Sequence, residues 1–248
     1  MSKTQHEVIY GLHAVEAALR NNRENVLQLW VQQGRNDGRI RKLVDLATSA
    51  GVSVETISTD KLSARCNAER HQGVVARVRG GSRKRVELED LLARDTLLLL
   101  ILDEVQDPHN IGACLRSADA AGADAVIVCK NRSPGLTPVV VKVASGAAEH
   151  TPYIQVTNLA RTLEKLRDAD VWIVGTSGDS ETSLYDCQLS KRMAVVMGSE
   201  GEGMRRLTRE GCNQLISIPM QGSVSSLNVS VASGVTLFEL RRRMNLNA

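Results

Sequence analysis

The chain has 248 residues, a formal net charge of +3 and 42% apolar residues, enough for one large domain or two smaller ones with a real core. Aromatic residues make up only 2%, with a single Phe, so stacking of bases on aromatic platforms is a poor expectation. The five cysteines (Cys66, Cys114, Cys129, Cys187 and Cys212) form no C-x-x-C and no zinc-spaced cluster, so reduced thiols in the cytoplasm and no metal site are expected.

No signal-peptide pattern opens the chain. The charge is unevenly spread. Residues 1–85 hold 15 Lys and Arg against 8 Asp and Glu, and the remainder holds 16 against 20. A basic first third on a mildly acidic body points to a polyanionic partner. This third reads as a small α/β domain over residues 1–80. Strands are predicted at Val8–Tyr10, Val26–Gln32, Val52–Ile57 and Gly73–Val78, and helices at Leu12–Leu19, Ile40–Ala50 and Asp60–Cys66. Gly80-Gly81-Ser82 and Arg83-Lys84-Arg85 then break the pattern, and residues 81–95 read as a linker.

Residues 96–248 read as a second domain. Leu97–Leu102 is a continuous apolar run, too short to span a membrane, and no membrane association is expected. Further strands are predicted at Ala125–Val128, Tyr153–Val156, Val171–Gly175, Ala194–Met197 and Leu215–Ile218. Helices are predicted from Asn110, as cap, to Ala121, and at Val139–Ala148, Leu159–Arg167, Met204–Arg209 and Val229–Arg243. Strands alternating with helices imply a parallel sheet covered on both faces, with ligands at the carboxyl ends of its strands.

Two of those ends are rich in small and polar residues. Gly198-Ser199-Glu200-Gly201-Glu202-Gly203 is G-x-x-G-x-G, which matches neither dinucleotide nor P-loop spacing. Its two carboxylates would repel a pyrophosphate, whereas a ligand with a positive centre, a ribose or an amino group suits Glu200. The plain alternative is a Gly-rich turn with exposed acids. The second loop places Ser223, Ser225, Ser226 and Asn228 before the last helix, as caps or as a donor-rich pocket. Arg241, Arg242 and Arg243 close that helix and complement its dipole. Upstream, DEVQDPHNIGACLRSADAAG gives a helix of small residues with one large charge, Arg116, which faces solvent, pairs with Asp119 or meets a phosphate. His109 is a weaker candidate for a base.

Three segments, LDEVQDPHNIGACLRSADAAGADAVIV, VVMGSEGEGM and IPMQGSVSSLNVSVASGVTLFE, resemble in order and spacing the three motifs of the SpoU branch of the SPOUT RNA methyltransferases. IYGLHAVEAAL and HQGVVARV resemble the substrate-binding domain that precedes the catalytic domain in that family. The resemblance implies an α/β catalytic domain with a parallel sheet and a C-terminal trefoil knot, behind a small RNA-binding α/β domain. It also implies a homodimer formed through the catalytic domain.

The activity so implied is S-adenosylmethionine-dependent methylation of a ribose 2′-hydroxyl, without metal. The likeness is to members acting on a guanosine in the peptidyl-transferase P loop of 23S ribosomal RNA, free or in a large-subunit assembly intermediate. A transfer RNA or another ribosomal site is the alternative. Carried over, Thr176, Gly198, Ile218, Met220 and Leu227 would hold the methyl donor. Asn110, Arg116, Glu200, Ser226 and Asn228 would be catalytic. Arg116 either removes the hydroxyl proton with help from a phosphate or clamps that phosphate, since a guanidinium rarely gives up its proton. Arg39, Arg41, Lys42, Arg77 and Arg79 are candidate RNA contacts. An inactive RNA binder is disfavoured by the intact motifs, and a Ser226/His109 hydrolase by the lack of a G-x-S-x-G elbow.

Overall fold

The computed structural model describes residues 6–21, 23–79 and 86–246. The predicted linker is in part outside these residues, including Arg83-Lys84-Arg85. The first third folds as β1 (His6–Tyr10), α1 (Leu12–Asn21), β2 (Val26–Gln32), α2 (Gly38–Ser49), β3 (Ser53–Ile57), α3 (Thr59–Cys66) and β4 (Val74–Arg79). The sheet order is β1-β4-β2-β3. Strand β4 runs antiparallel to both neighbours, and β3 joins β2 in parallel. Val74, Val75 and Ala76 are fully buried, as a strand covered on both faces requires. One face packs Tyr10, Trp30 and Val75 against Leu62 and Cys66 of α3. Trp30 donates its indole N–H to Glu55 at 2.9 Å, and Arg65 lies 4.1 Å over its ring. Asp37 caps α2 by accepting the N–H groups of Arg39 and Ile40.

The second unit begins with a helix that was not expected. α4 (Leu88–Leu92) lies within the predicted linker, yet it buries Leu88 and Leu91 in the core of this unit. Its start is fixed by the Glu87 N–H, which donates to Asp90 at 3.3 Å. There follow β5 (Leu97–Leu102), α5 (Pro108–Ala120), β6 (Ala125–Cys129), α6 (Pro138–Val143), β7 (Tyr153–Val156), α7 (Leu159–Asp168), β8 (Trp172–Thr176), β9 (Arg192–Met197), α8 (Arg206–Glu210), β10 (Gln214–Ile216) and α9 (Val229–Leu246). The sheet is parallel throughout, in the order β10-β8-β9-β5-β6-β7.

Strand β5 holds the centre because all six of its residues are buried and apolar. Leu159, Leu163 and Leu166 of α7 share one core cluster with Leu97, Leu99 and Ile101. α5 packs along α9, where its small residues allow close approach, and Cys114 meets Ser233 at 3.5 Å. Leu99→Ala deletes fully buried atoms from the middle of this sheet. It should lower the unfolding free energy by about 3 kcal/mol, measured by equilibrium urea denaturation, with a loss below about 1 kcal/mol contradicting the assignment.

The segment 137–150 groups with the first unit rather than with the second, in which the sequence places it. The single helix predicted at Val139–Ala148 is interrupted after Val143, because Ser145 and Gly146 adopt φ of 52° and 99°. Lys142 explains the grouping: it sits 4.9 Å from the Tyr10 ring and donates to the Arg70 carbonyl.

Candidate active site

Strands β10, β8, β9 and β5 are consecutive neighbours, so the loops leaving their carboxyl ends converge. Three of these loops, with the start of α9, enclose a cavity of about 710 Å³. The β8 loop contributes Thr176 to Asp179, the β9 loop Gly198 to Met204, and the β10 loop Ser217 to Asn228.

The β9 loop is closed at its neck. Ser199 and Gly203 exchange backbone hydrogen bonds of 3.1 and 3.0 Å. A Cβ on Gly198 would lie 2.2 Å from the Gly203 carbonyl carbon and 2.3 Å from the Met204 nitrogen, so only glycine fits there. This neck turns Glu200 toward the start of α9. One Glu200 carboxylate oxygen accepts three N–H groups: Asn228 Nδ2 at 2.5 Å, Asn110 Nδ2 at 3.2 Å and the Val229 backbone at 3.3 Å. The other oxygen accepts none from the described residues. The carboxylate sits at the amino end of an 18-residue helix, whose free N–H groups face it.

Asn110 is in this cluster because it does not cap α5, contrary to the sequence expectation. Asp107 takes that role by accepting the His109 N–H at 2.9 Å, which leaves Asn110 in the first turn with its amide free to reach across. Asn228 also donates to Asn110 Oδ1 at 3.0 Å. The Asn228 carbonyl is held by the Ser230 N–H at 2.9 Å and hydroxyl at 2.6 Å, so its NH2 must face Glu200. Ser230 was missed in the sequence, although a serine two residues after an asparagine at a helix start is a usable signal.

Of the predicted donor-binding residues, Thr176, Gly198, Ile218, Met220 and Leu227 all line the cavity. Thr176 is fixed by its hydroxyl, which donates to the Val196 carbonyl at 3.2 Å. Ser226 lines the cavity but has no hydrogen bond to the Asn110–Glu200–Asn228 cluster among the described residues. Arg116 is not brought into the cluster. It is exposed and sits about 120° around α5 from Asn110 at 100° per residue. Of the two plain alternatives, the solvent-facing one agrees with this exposure, whereas the pairing with Asp119 is not formed; Asp119 accepts from Thr151 instead, at 2.9 Å. His109 is 73% exposed at its side chain and faces Asp107.

The arginines ending α9 do more than complement their own dipole. Arg241 donates to the carbonyls of Ala121 and Gly122 behind α5, and Arg243 to those of Leu184 and Cys187. In the first unit, Arg39, Arg41 and Lys42 ride on α2, whereas Arg77 and Arg79 follow Val75 along β4 onto the face that packs α3.

The donor set of the cavity has a definite preference. Asp179, Glu200 and Glu202 outnumber Arg209, which is turned to Ser177 at 3.0 Å. The backbone N–H groups of Ile218, Met220 and Leu227 make no hydrogen bond to other described residues. Free backbone edges, apolar walls and excess carboxylate suit a nucleoside carrying a cationic centre and repel a polyphosphate.

Known proteins resemble this chain in sequence and in fold. The family model described as SpoU rRNA methylase matches residues 97–238, and the one described as RNA 2′-O ribose methyltransferase substrate binding matches residues 8–82. The 23S rRNA (guanosine-2′-O-)-methyltransferase RlmB of Yersinia pestis is 53% identical over 98% of this chain and 99% of its own length. That of Shewanella oneidensis is 51% identical over 96% and 98%. A crystal structure of an RNA 2′-O ribose methyltransferase superposes with a TM-score of 0.84 at 26% identity, over 98% of this chain and 90% of that one. With one family model matching the first unit's strands and helices, the other matching most of the rest, and relatives about half identical along nearly the whole length, this chain belongs to the SpoU rRNA methylase family.

Proposed function

We propose that the protein methylates the 2′-hydroxyl of a guanosine ribose in 23S ribosomal RNA with S-adenosylmethionine as donor. The observation that carries this reading is the Asn110–Glu200–Asn228 cluster beside a carboxylate-rich nucleoside cavity, in a chain about half identical to named 23S rRNA methyltransferases along nearly its whole length. When bound, S-adenosylmethionine supplies an electrophilic methyl group on a sulfonium.

Thr176, Gly198, Ile218, Met220 and Leu227 hold the donor, largely through backbone groups. Glu200 orients the reacting groups through its uncommitted oxygen. Asn110 and Asn228 fix that carboxylate, and Ser226 stands beside it. A ribose hydroxyl is a weak nucleophile that must lose its proton, here to solvent water, as its oxygen takes the methyl group and S-adenosylhomocysteine leaves. Arg116, exposed and without a partner among the described residues, acts as a clamp on an RNA phosphate, since its guanidinium stays charged. The first unit binds the RNA through its basic residues.

The reading extends to three features of the second unit and of the setting. The first is a knot. Support comes from residue 217, which pairs with the β8–β9 connection through Thr182 and Leu184 at 2.9 and 2.8 Å, while Arg243 ties α9 back to the same stretch. The second is a homodimer formed through the catalytic unit. Val231 and Phe238, seven residues apart on one face of α9, are 51% and 53% exposed. The third is a cytoplasmic setting. No described helix is long and apolar enough to cross a membrane.

The test is transfer of labelled methyl from S-adenosylmethionine to 23S RNA lacking the modification, with bulk transfer RNA in parallel. Label at one guanosine ribose of 23S RNA is the expected result. Label in transfer RNA alone overturns the substrate.

A further inference from the structure

The β9 loop is loose by composition. Gly201 and Gly203 have φ of 88° and 71°, and residues 200–203 are exposed. A loop of this kind loses much backbone freedom when it is held in one shape. Yet Glu200 sits at its tip and must be held still if it is to orient reacting groups. The neck bonds between Ser199 and Gly203 close the loop on itself, but they do not tie it to the sheet.

That tie comes from Asp103, the residue that follows the six buried residues of β5. Asp103 is fully buried. Its N–H donates to the Met197 carbonyl at 2.8 Å, where the loop begins. Its carboxylate accepts from Arg205, where the loop ends: the backbone N–H at 2.9 Å, Nε at 2.9 Å and Nη2 at 2.7 Å. One residue of the neighbouring strand therefore grips both ends. Arg205 is gripped in turn by Glu104, 3.3 Å from its Nε, and Glu104 also meets Arg132 at 2.5 Å.

Asp103 is buried and the Arg205 side chain is half-buried, so desolvation offsets much of the attraction and the pair contributes little net stability. What it supplies is geometry: a planar fork and a backbone N–H converge on one carboxylate, and an apolar pair could not reproduce that. Resting on the proposed methyl transfer, we propose that Asp103 and Arg205 are positioning residues that lock the β9 loop and hold Glu200 in register with Asn110 and Asn228. Neither residue touches the cavity; both act through Glu200.

The experiment compares wild type with Arg205→Lys and with the double variant Asp103→Asn/Arg205→Gln. The first keeps the charge without the fork. The second replaces the ion pair by two amides that can still hydrogen-bond, so that no lone charge is left at the buried Asp103 position. Three readouts are taken: hydrogen exchange of peptides covering residues 198–204, binding of S-adenosylhomocysteine, and kcat with KM for methyl transfer to 23S RNA.

Losing a charge-assisted fork should speed loop exchange and lower kcat by about tenfold or more in the double variant, with Arg205→Lys between it and wild type. Exchange of residues 97–102 and KM for RNA should stay within about twofold, because a lost charge-assisted hydrogen bond acts at the loop alone. Unchanged loop exchange with kcat within twofold of wild type in Arg205→Lys and in the double variant overturns the proposal. If wild type itself transfers no methyl to 23S RNA, the proposed function fails, and loop exchange and S-adenosylhomocysteine binding still decide the role of the pair.

Discussion

Gly198→Ala is expected to abolish binding of the methyl donor while leaving the sheet folded. The argument is steric. The added methyl would stand 2.2, 2.3 and 2.6 Å from backbone atoms of Gly203 and Met204. None of these is a flexible side-chain end, so relief requires opening the neck held by the Ser199–Gly203 pair. The neck forms one wall of the cavity, and displacing a wall by about 1 Å removes the close fit that a buried ligand needs. Donor affinity measured by calorimetry should fall by at least about 100-fold, a cost of about 2.7 kcal/mol. Gly135→Ala, where the nearest atom is Gln155 at 3.8 Å, should bind as wild type does. Retained affinity in Gly198→Ala would show that the loop opens at little cost and that its tight neck does not shape the site.

The close approach at Gly198 was not readable from the sequence. The G-x-x-G-x-G pattern signals a turn, and the usual reason for glycine there is positive φ, which holds for Gly201 and Gly203 but not for Gly198. What was readable was patterning: the LLLLIL strand, the alternation of strands with helices, and the polar loops at strand ends that line the cavity. These rest on local periodicity and on the rule that ligands gather at carboxyl ends of parallel strands.

What escaped depends on contacts far apart in sequence. Asp107 and Asn110 are both good cap residues, and only Glu200, 90 positions away, shows why Asn110 is spared for the site. Arg241 and Arg243 could serve their own helix end, and their reach to Gly122 and Cys187 depends on tertiary packing. α4 was lost in an acidic stretch between a basic run and the first apolar strand, where five residues show too few turns for a helical period. The grouping of residues 137–150 with the first unit follows from Lys142 and Tyr10, which no local pattern links.

Glu200→Ala should lower the rate of methyl transfer at saturating donor and RNA by at least about 100-fold, the loss typical of a pre-organised polar group in an active site. Two roles compete for Glu200, and magnitude separates them. As a helix cap, it satisfies the Val229 N–H, and removing such a cap costs about 1 kcal/mol of stability with no specific effect on rate. As an active-site carboxylate, it holds two amides and offers one uncommitted oxygen, and its loss would be felt in the rate rather than in folding. Glu200 is exposed, so alanine leaves no cavity and the melting temperature should drop by no more than about 4 °C. Glu200→Gln refines the test. The amide keeps the size and one acceptor but loses the charge that complements the α9 amino end. It should fold as well as wild type and recover only part of the rate. Single-turnover kinetics at saturating RNA, paired with thermal denaturation, separate these outcomes. A rate within about fivefold of wild type alongside a loss of about 1 kcal/mol would reduce Glu200 to a cap, and the chemistry would then have to rest on Asn110, Asn228 and Arg116.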